Sequence, residues 1–238
     1  MESTDKKKIT TLTIVDVLVV AVILFGLAFF DSTKAYIKLI NNVNTLNQNV
    51  HFTNMDNYIG FVKQSILLLL AFGYLYWRKF DFRVWKIKFS FKGILLGLLF
   101  FVIAGFAMDI YTIAGNIALD VIKTPSPLNE FLMNFNFSRV LYSLLNGFYE
   151  EIFFLGVCLS VKTKDLKWVI PLSLIIRFSF HTYQGMLISL GLGFVLGTVF
   201  YLLYFFSKKK NLFPFFIAHA MADIIGLSVL SHISKFFS

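Results

Sequence analysis

Asn146-Gly147-Phe148-Tyr149-Glu150-Glu151-Ile152-Phe153-Phe154-Leu155-Gly156 sets two adjacent carboxylates about halfway along an apolar run from Val140 to Val161. A run of that length predicts a membrane-spanning helix. One charged side chain at the centre of a bilayer costs about 2.5–3.5 kcal/mol on insertion scales, and two in succession are harder still to tolerate. Such residues face a protein-lined or water-filled cavity and do chemistry or transport there. The other intramembrane polar residues are therefore expected to converge on Glu150 and Glu151.

The rest of the chain agrees with a membrane setting. Its 238 residues are 58% hydrophobic and only 15% charged, with 30 phenylalanines, and the mean hydropathy is +0.75. A soluble domain of this size does not carry that balance. The net charge of +9 raises the question of nucleic acid. The basic residues, however, lie between apolar runs rather than along one face, so they read as topology determinants and no nucleic-acid partner is expected. A single Cys158 excludes an internal disulfide. Met1–Phe30 has the charge-then-apolar order of a signal peptide, but its apolar part is long and no small-residue cleavage site follows, which predicts a retained first span.

In chain order, spans are expected at about Thr10–Phe30, Tyr58–Trp77, Gly93–Ile113 and Arg139–Val161. Trp168–Phe206 is long enough for two more, broken near Gln184-Gly185, and Leu212–Leu230 makes the last. The fold class is thus all-α: a polytopic integral membrane helix bundle of about seven spans, or eight if the proline-bearing segment around Pro125, Pro127 and Glu130 dips back into the bilayer. No soluble domain or internal repeat is visible, so residues 1–238 are expected to form a single membrane domain.

Charge asymmetry orients the bundle. With the amino terminus in the cytoplasm, the head, the Arg78–Lys92 connector, the Lys162–Lys167 turn and the Lys208–Lys210 turn all fall inside, and they hold 15 of the 22 lysines and arginines. The opposite side receives balanced or weakly charged loops, which is the positive-inside pattern.

Depth follows from a helical rise of about 1.5 Å per residue. Measured from the nearest basic inner edge, Glu150 and Glu151 lie about 15–17 Å in, Arg177 and His181 about 15 and 21 Å, and His219 and Asp223 about 13 and 20 Å. Three helices thus bring ionisable groups to one mid-membrane slab. His219 and Asp223 are four apart and share a helix face, as do Arg177 and His181. A water-filled chamber among spans four, five and seven accounts for the pattern.

Taken together these residues resemble the CPBP intramembrane proteases, a family that includes the type II CAAX prenyl endopeptidases and bacteriocin-processing or self-immunity proteins. Their EExxxR motif is similar to Glu150-Glu151-Ile152-Phe153-Phe154-Leu155, their FxxxH histidine to His181, and their HxxxN/D motif to His219-Ala220-Met221-Ala222-Asp223. Phe194–Gly197 is similar to a recurring FxxG element. The resemblance covers about residues 127–230, the expected catalytic core. Two positions depart from it: Leu155 stands where the motif has arginine, and Arg177 where it has phenylalanine. Arg177, at similar depth on the next helix, is expected to supply the missing positive charge to Glu151.

The resemblance implies an endopeptidase of metallo or glutamic type, with Glu150 and His181 activating water, His219 with Asp223 on the oxyanion or metal side, and Glu151 in support. No cofactor is certain. Should a divalent ion bind, His181, His219 and a carboxylate such as Glu150 have the ligand types for zinc. Asp223 stands where asparagine is common, and an ionised acid cannot donate a hydrogen bond to an oxyanion. The expected partners are the lipid bilayer and a peptide or membrane-tethered protein substrate. A bacterial plasma membrane is the expected setting, from the family and the short loops.

Each residue also has a plainer reading. Arg177 reads first as a structural counter-ion, and a lone His181 reads equally as a satisfied core histidine. Asp16 and Asp109 lie nearer span ends and read as solvated or helix-pairing groups, while His51 and His232 fall outside the core spans. Two rival functions remain open: a non-catalytic membrane scaffold or bacteriocin-immunity protein with a degenerate site, and an ion-coupled transporter. Transport is disfavoured by the absence of an inverted repeat.

Overall fold

A computed structural model describes residues 8–41, 53–118 and 136–230. The proline-bearing segment with Pro125, Pro127 and Glu130, the basic residues Lys6 and Lys7, and His51 and His232 lie outside the described residues.

Among the described residues the chain is helical, with no strand. We number the helices α1 (Ile14–Asn41), α2 (Asn54–Trp77), α3 (Phe91–Ala118), α4 (Phe137–Val157), α5 (Leu166–Ser179), α6 (Met186–Phe206) and α7 (Phe213–Ile225). Five of them, α1 to α4 and α6, are long and apolar enough to cross a membrane. The protein is a multi-pass membrane protein of about seven helices.

Helix starts follow local chemistry. At α2, Thr53 and Asp56 form a reciprocal capping box, and Thr13 with Asp16 makes the same exchange at the head of α1. Each satisfies amide groups that a helix end otherwise leaves unpaired. Buried residues of α1 recur as Val17, Val20, Ala21, Leu24 and Phe25, the spacing of a single helical stripe against the bundle.

The structure departs from the expected spans in length. Helix α1 runs 28 residues, to Asn41 rather than Phe30, and α3 also runs 28 residues, to Ala118 rather than Ile113. Once a helix is nucleated, each added residue contributes a hydrogen bond, so polar residues extend it past the apolar run. Conversely, α5 has 14 residues and α7 has 13. At about 1.5 Å per residue these reach about 20 Å, short of a hydrocarbon core of about 30 Å. Their ends therefore lie within the bundle, where irregular backbone is tolerated only against protein or water. His181 follows the end of α5, and Asp223 sits in the last turn of α7.

Two helices also loosen into π turns, Ile152–Val157 in α4 and Gly191–Leu196 in α6. The first begins immediately after Glu151, and every residue in it is buried. Such widened turns occur often at functional sites.

At one end the four basic connectors are tied to one another. In the turn after α2, the Lys79 carbonyl accepts from the Ile9 amide and the Asp81 amide donates to the Ile9 carbonyl, while the Leu12 amide donates to the Ser160 carbonyl. Trp85 Nε1 donates to Ser160 Oγ, while Asn211 brackets Lys88 by accepting from its amide and donating to its carbonyl. The stretches grouped together by charge in the sequence are therefore on one face of the molecule. There the exposed Arg83 guanidinium holds the Asp81 carboxyl down to about 2.

The core lies where α3 and α4 pack against α7, with α2 behind α4 and α1 closing the opposite flank. Phe25 of α1 meets Phe153 and Phe180 at ring-centroid distances of 5.0 and 4.7 Å. The Tyr149 hydroxyl donates to the Leu24 carbonyl. This aromatic layer locks α1 onto α4 beside the acid pair.

Candidate active site

Gly147 brings α4 and α7 together. A Cβ there would lie 2.6 Å from the Phe216 carbonyl oxygen and 2.9 Å from the Ala220 nitrogen, closer than any real side chain approaches. The contact sets Asn146, Glu150 and Glu151 directly against His219, one position from Ala220.

Glu151 is fully enclosed. Its Oε1 accepts from Arg177 Nη2 at 2.6 Å and from His219 Nδ1 at 2.7 Å. The arginine enters from α5, and its guanidinium carbon lies 4.0 Å from the centre of the Phe154 ring and 5.6 Å from that of Phe200. A guanidinium is suited to this position, because it pairs with a carboxylate in its plane and stacks on aromatic faces. Leu155, where the family motif has arginine, is buried in apolar packing. The positive charge beside Glu151 thus comes from Arg177 on the neighbouring helix. Gly197, the glycine of the FxxG-like element, sits against Leu174 and the Arg177 side chain, leaving room for α5.

Because Nδ1 of His219 is held by Glu151, its Nε2 faces the other two acids. Glu150 Oε1 is 3.7 Å from it and Asp223 Oδ1 3.8 Å. Asn146 lies between them, its Nδ2 2.7 Å from Asp223 Oδ2 and 3.3 Å from Glu150 Oε1. Glu150 Oε2, Glu151 Oε2 and Arg177 Nη1 are buried with no hydrogen-bond partner. Buried polar atoms are nearly always paired, so three orphans in one cluster mark a place for something to bind.

His181 is held differently. Its Nδ1 lies 2.7 Å from the Arg177 carbonyl oxygen, so this nitrogen donates and the other is left with its lone pair. The ring packs on Phe180. Among the described residues, the ligand atoms gathered within 4.8 Å of one another belong to Glu150, Glu151 and His219. The set named from sequence was His181, His219 and Glu150; here Glu151 takes the place of His181. These donors fit a divalent cation such as zinc: two orphaned carboxylate oxygens and an imidazole within reach of one another.

Three contributors were not singled out from sequence. Asn146, four residues before Glu150, shares its helix face. Gln64 of α2 donates through Nε2 to Asn146 Oδ1 at 2.6 Å, adding a fourth helix to the site. Arg139 donates to the Asp223 carbonyl at 3.0 Å through Nη2, capping the end of α7 where its carbonyls lose their helical partners.

No curated protein and no solved structure matches the chain. Residues 132–225, which contain Glu150, Glu151, Arg177, His181, His219 and Asp223, match the family model described as Type II CAAX prenyl endopeptidase Rce1-like, in keeping with the CPBP family.

Proposed function

We propose that the protein is an intramembrane endopeptidase that hydrolyses a peptide bond with a water activated by glutamate and histidine. The observation that carries this reading is Glu150: an acid buried among three helices with one oxygen, Oε2, left without a partner. That oxygen is placed to accept a proton from water. His181, with Nδ1 committed to the Arg177 carbonyl, offers its other nitrogen as a second acceptor. The hydroxide so formed attacks the carbonyl carbon, and the oxyanion develops near His219 and Asn146. Collapse breaks the C–N bond, and the proton held by Glu150 passes to the leaving amine, giving a carboxylate and an amine. Glu151 acts on His219 by holding Nδ1, and Arg177 balances its charge.

A divalent ion held by Glu150, Glu151 and His219 would supply a Lewis acid for the carbonyl oxygen. The substrate class is a peptide precursor or membrane-tethered protein tail, such as a bacteriocin or signalling-peptide precursor, and CAAX peptides belong to the panel to be tried. We take residues 1–238 as a single membrane domain with its catalytic core at 127–230. The setting is a bacterial plasma membrane with the amino terminus cytoplasmic, supported by the basic connectors lying on one face.

One observation favours a second reading. Leu155 stands where the family motif has arginine, and Arg177 where it has phenylalanine, departures in keeping with a non-catalytic scaffold or immunity protein with a degenerate site. Expression of the wild type beside Glu150→Ala, His181→Ala and His219→Ala separates the two. Peptide processing lost in all three at unchanged protein level is the protease outcome. A biological effect retained by all three is the scaffold outcome.

A further inference from the structure

The amide of Asn146 is oriented by its surroundings. Asp223 Oδ2 and Glu150 Oε1, both acceptors when ionised, face one side of it at 2.7 and 3.3 Å. The NH2 group must therefore point into the cluster, with Oδ1 turned towards α2. There Gln64 Nε2 meets it at 2.6 Å. Gln64 Oε1 is buried without a partner, so α2 leaves one polar atom unpaired while gripping Asn146. The two hydrogens of one amide then serve two carboxylates from different helices, and both carboxylates face the same imidazole nitrogen.

From this geometry we propose that Asn146 is a positioning residue of the hydrolytic site, and that Gln64 acts through it as an orientation lock. Without the amide between them, Glu150 and Asp223 repel and swing away from His219, and the water-activating oxygen loses its place. With the amide turned over, Oδ1 would face two acids and the same displacement follows. The inference rests on the endopeptidase reading and adds two residues to it, one of them outside the segment that matches the family model.

The test uses the full chain purified in detergent, a quenched-fluorescence peptide that the wild type hydrolyses, and the variants Asn146→Ala, Gln64→Leu, Gln64→Glu and the Asn146→Ala/Gln64→Leu double. A misplacement of about 1 Å costs about a hundredfold in rate, so Asn146→Ala is expected to lower kcat by about that factor with KM little changed. Gln64→Leu lowers kcat by about tenfold, because the amide is loosened and not removed. In the double variant kcat equals that of Asn146→Ala alone, since a lock without its partner does nothing. Gln64→Glu, which can only accept, turns the amide over and lowers kcat more than Gln64→Leu. Losses that multiply in the double variant overturn the proposal, as does an undiminished kcat in Asn146→Ala. Should Asn146→Ala fail to fold, the Gln64 pair decides: equal kcat for Gln64→Leu and Gln64→Glu overturns the lock. A wild type that hydrolyses no peptide of the library from which the substrate is chosen removes the endopeptidase reading and this inference together. A wild type with turnover and an indifferent Asn146→Ala removes the inference alone.

Discussion

Asp16 and Glu151 are both acids buried against an arginine from a neighbouring helix, yet their surroundings differ in one respect. At Asp16, Oδ1 accepts from Tyr74 and Arg78, and Oδ2 accepts from Thr13 and Arg78. Each oxygen is paired, and Arg78 remains 36% exposed, so its charge is partly hydrated. At Glu151 the arginine is 2% exposed and the acid 0%, and three polar atoms in the cluster have no partner. A satisfied pair joins α1 to α2 and asks for nothing more. The unsatisfied cluster bears a desolvation cost that packing alone does not offset, which is the expected signature of a site kept for chemistry.

Substitutions can break this comparison, and the largest effect is expected at Glu150. Glu150→Gln keeps the shape and removes the base, lowering turnover by about 10²–10⁴-fold with protein level unchanged. Initial rates at saturating peptide, normalised to folded protein, check it. A variant that keeps its rate would place Glu150 with Asp16 among the structural acids.

Next comes the ion pair itself. Arg177→Leu leaves the buried Glu151 without its guanidinium and with only the His219 hydrogen bond, and is expected to destabilise the protein by about 3–5 kcal/mol. Reversing the pair with Glu151→Arg and Arg177→Glu together recovers much of that stability. It does not recover activity, because His219 Nδ1 no longer has Glu151 to hold it. Thermal unfolding and hydrolysis measured on the same preparations separate the two roles, and a double variant no more stable than either single one would deny the pairing.

Gly147→Ala tests the close approach of α4 and α7. The added methyl meets the Phe216 carbonyl, so about 1–3 kcal/mol of stability is lost through overpacking, and turnover falls because Glu150 and His219 are pushed apart. The smallest effect is expected at the satisfied pair. Asp16→Asn costs about 1–3 kcal/mol by breaking hydrogen bonds to Arg78 and Tyr74, and turnover per folded molecule is unchanged.

How much of this the sequence carried depends on the kind of information needed. Apolar runs and basic connectors marked the helices, because transfer from water acts on composition and requires no knowledge of neighbours. Helix ends were less legible: α1 and α3 overrun their apolar segments, and α5 and α7 stop short of a full crossing. The meeting of Glu150, Glu151, Arg177 and His219 followed from matched depth on separate helices. Gln64 lies 14 residues before Arg78, or about 21 Å by helical rise, the depth of His181 and close to that of Asp223. Depth alone does not single it out, because an uncharged amide within a span also serves simply to hydrogen-bond a neighbouring helix. Asn146 sat in plain view four residues before Glu150, but which of its neighbours an amide serves is decided by helix packing. The π turn after Glu151 left no mark on the sequence, since it changes hydrogen-bond register rather than residue type.

The central claim is that this buried cluster adds water to a peptide bond. Incubation of the purified full chain with a defined peptide library, farnesylated cysteine peptides included, in ¹⁸O-labelled water measures that step directly. Fragments whose new carboxylate carries one ¹⁸O are expected from the wild type and are absent with Glu150→Gln. Equal labelling from both proteins, or none from the wild type, would contradict it.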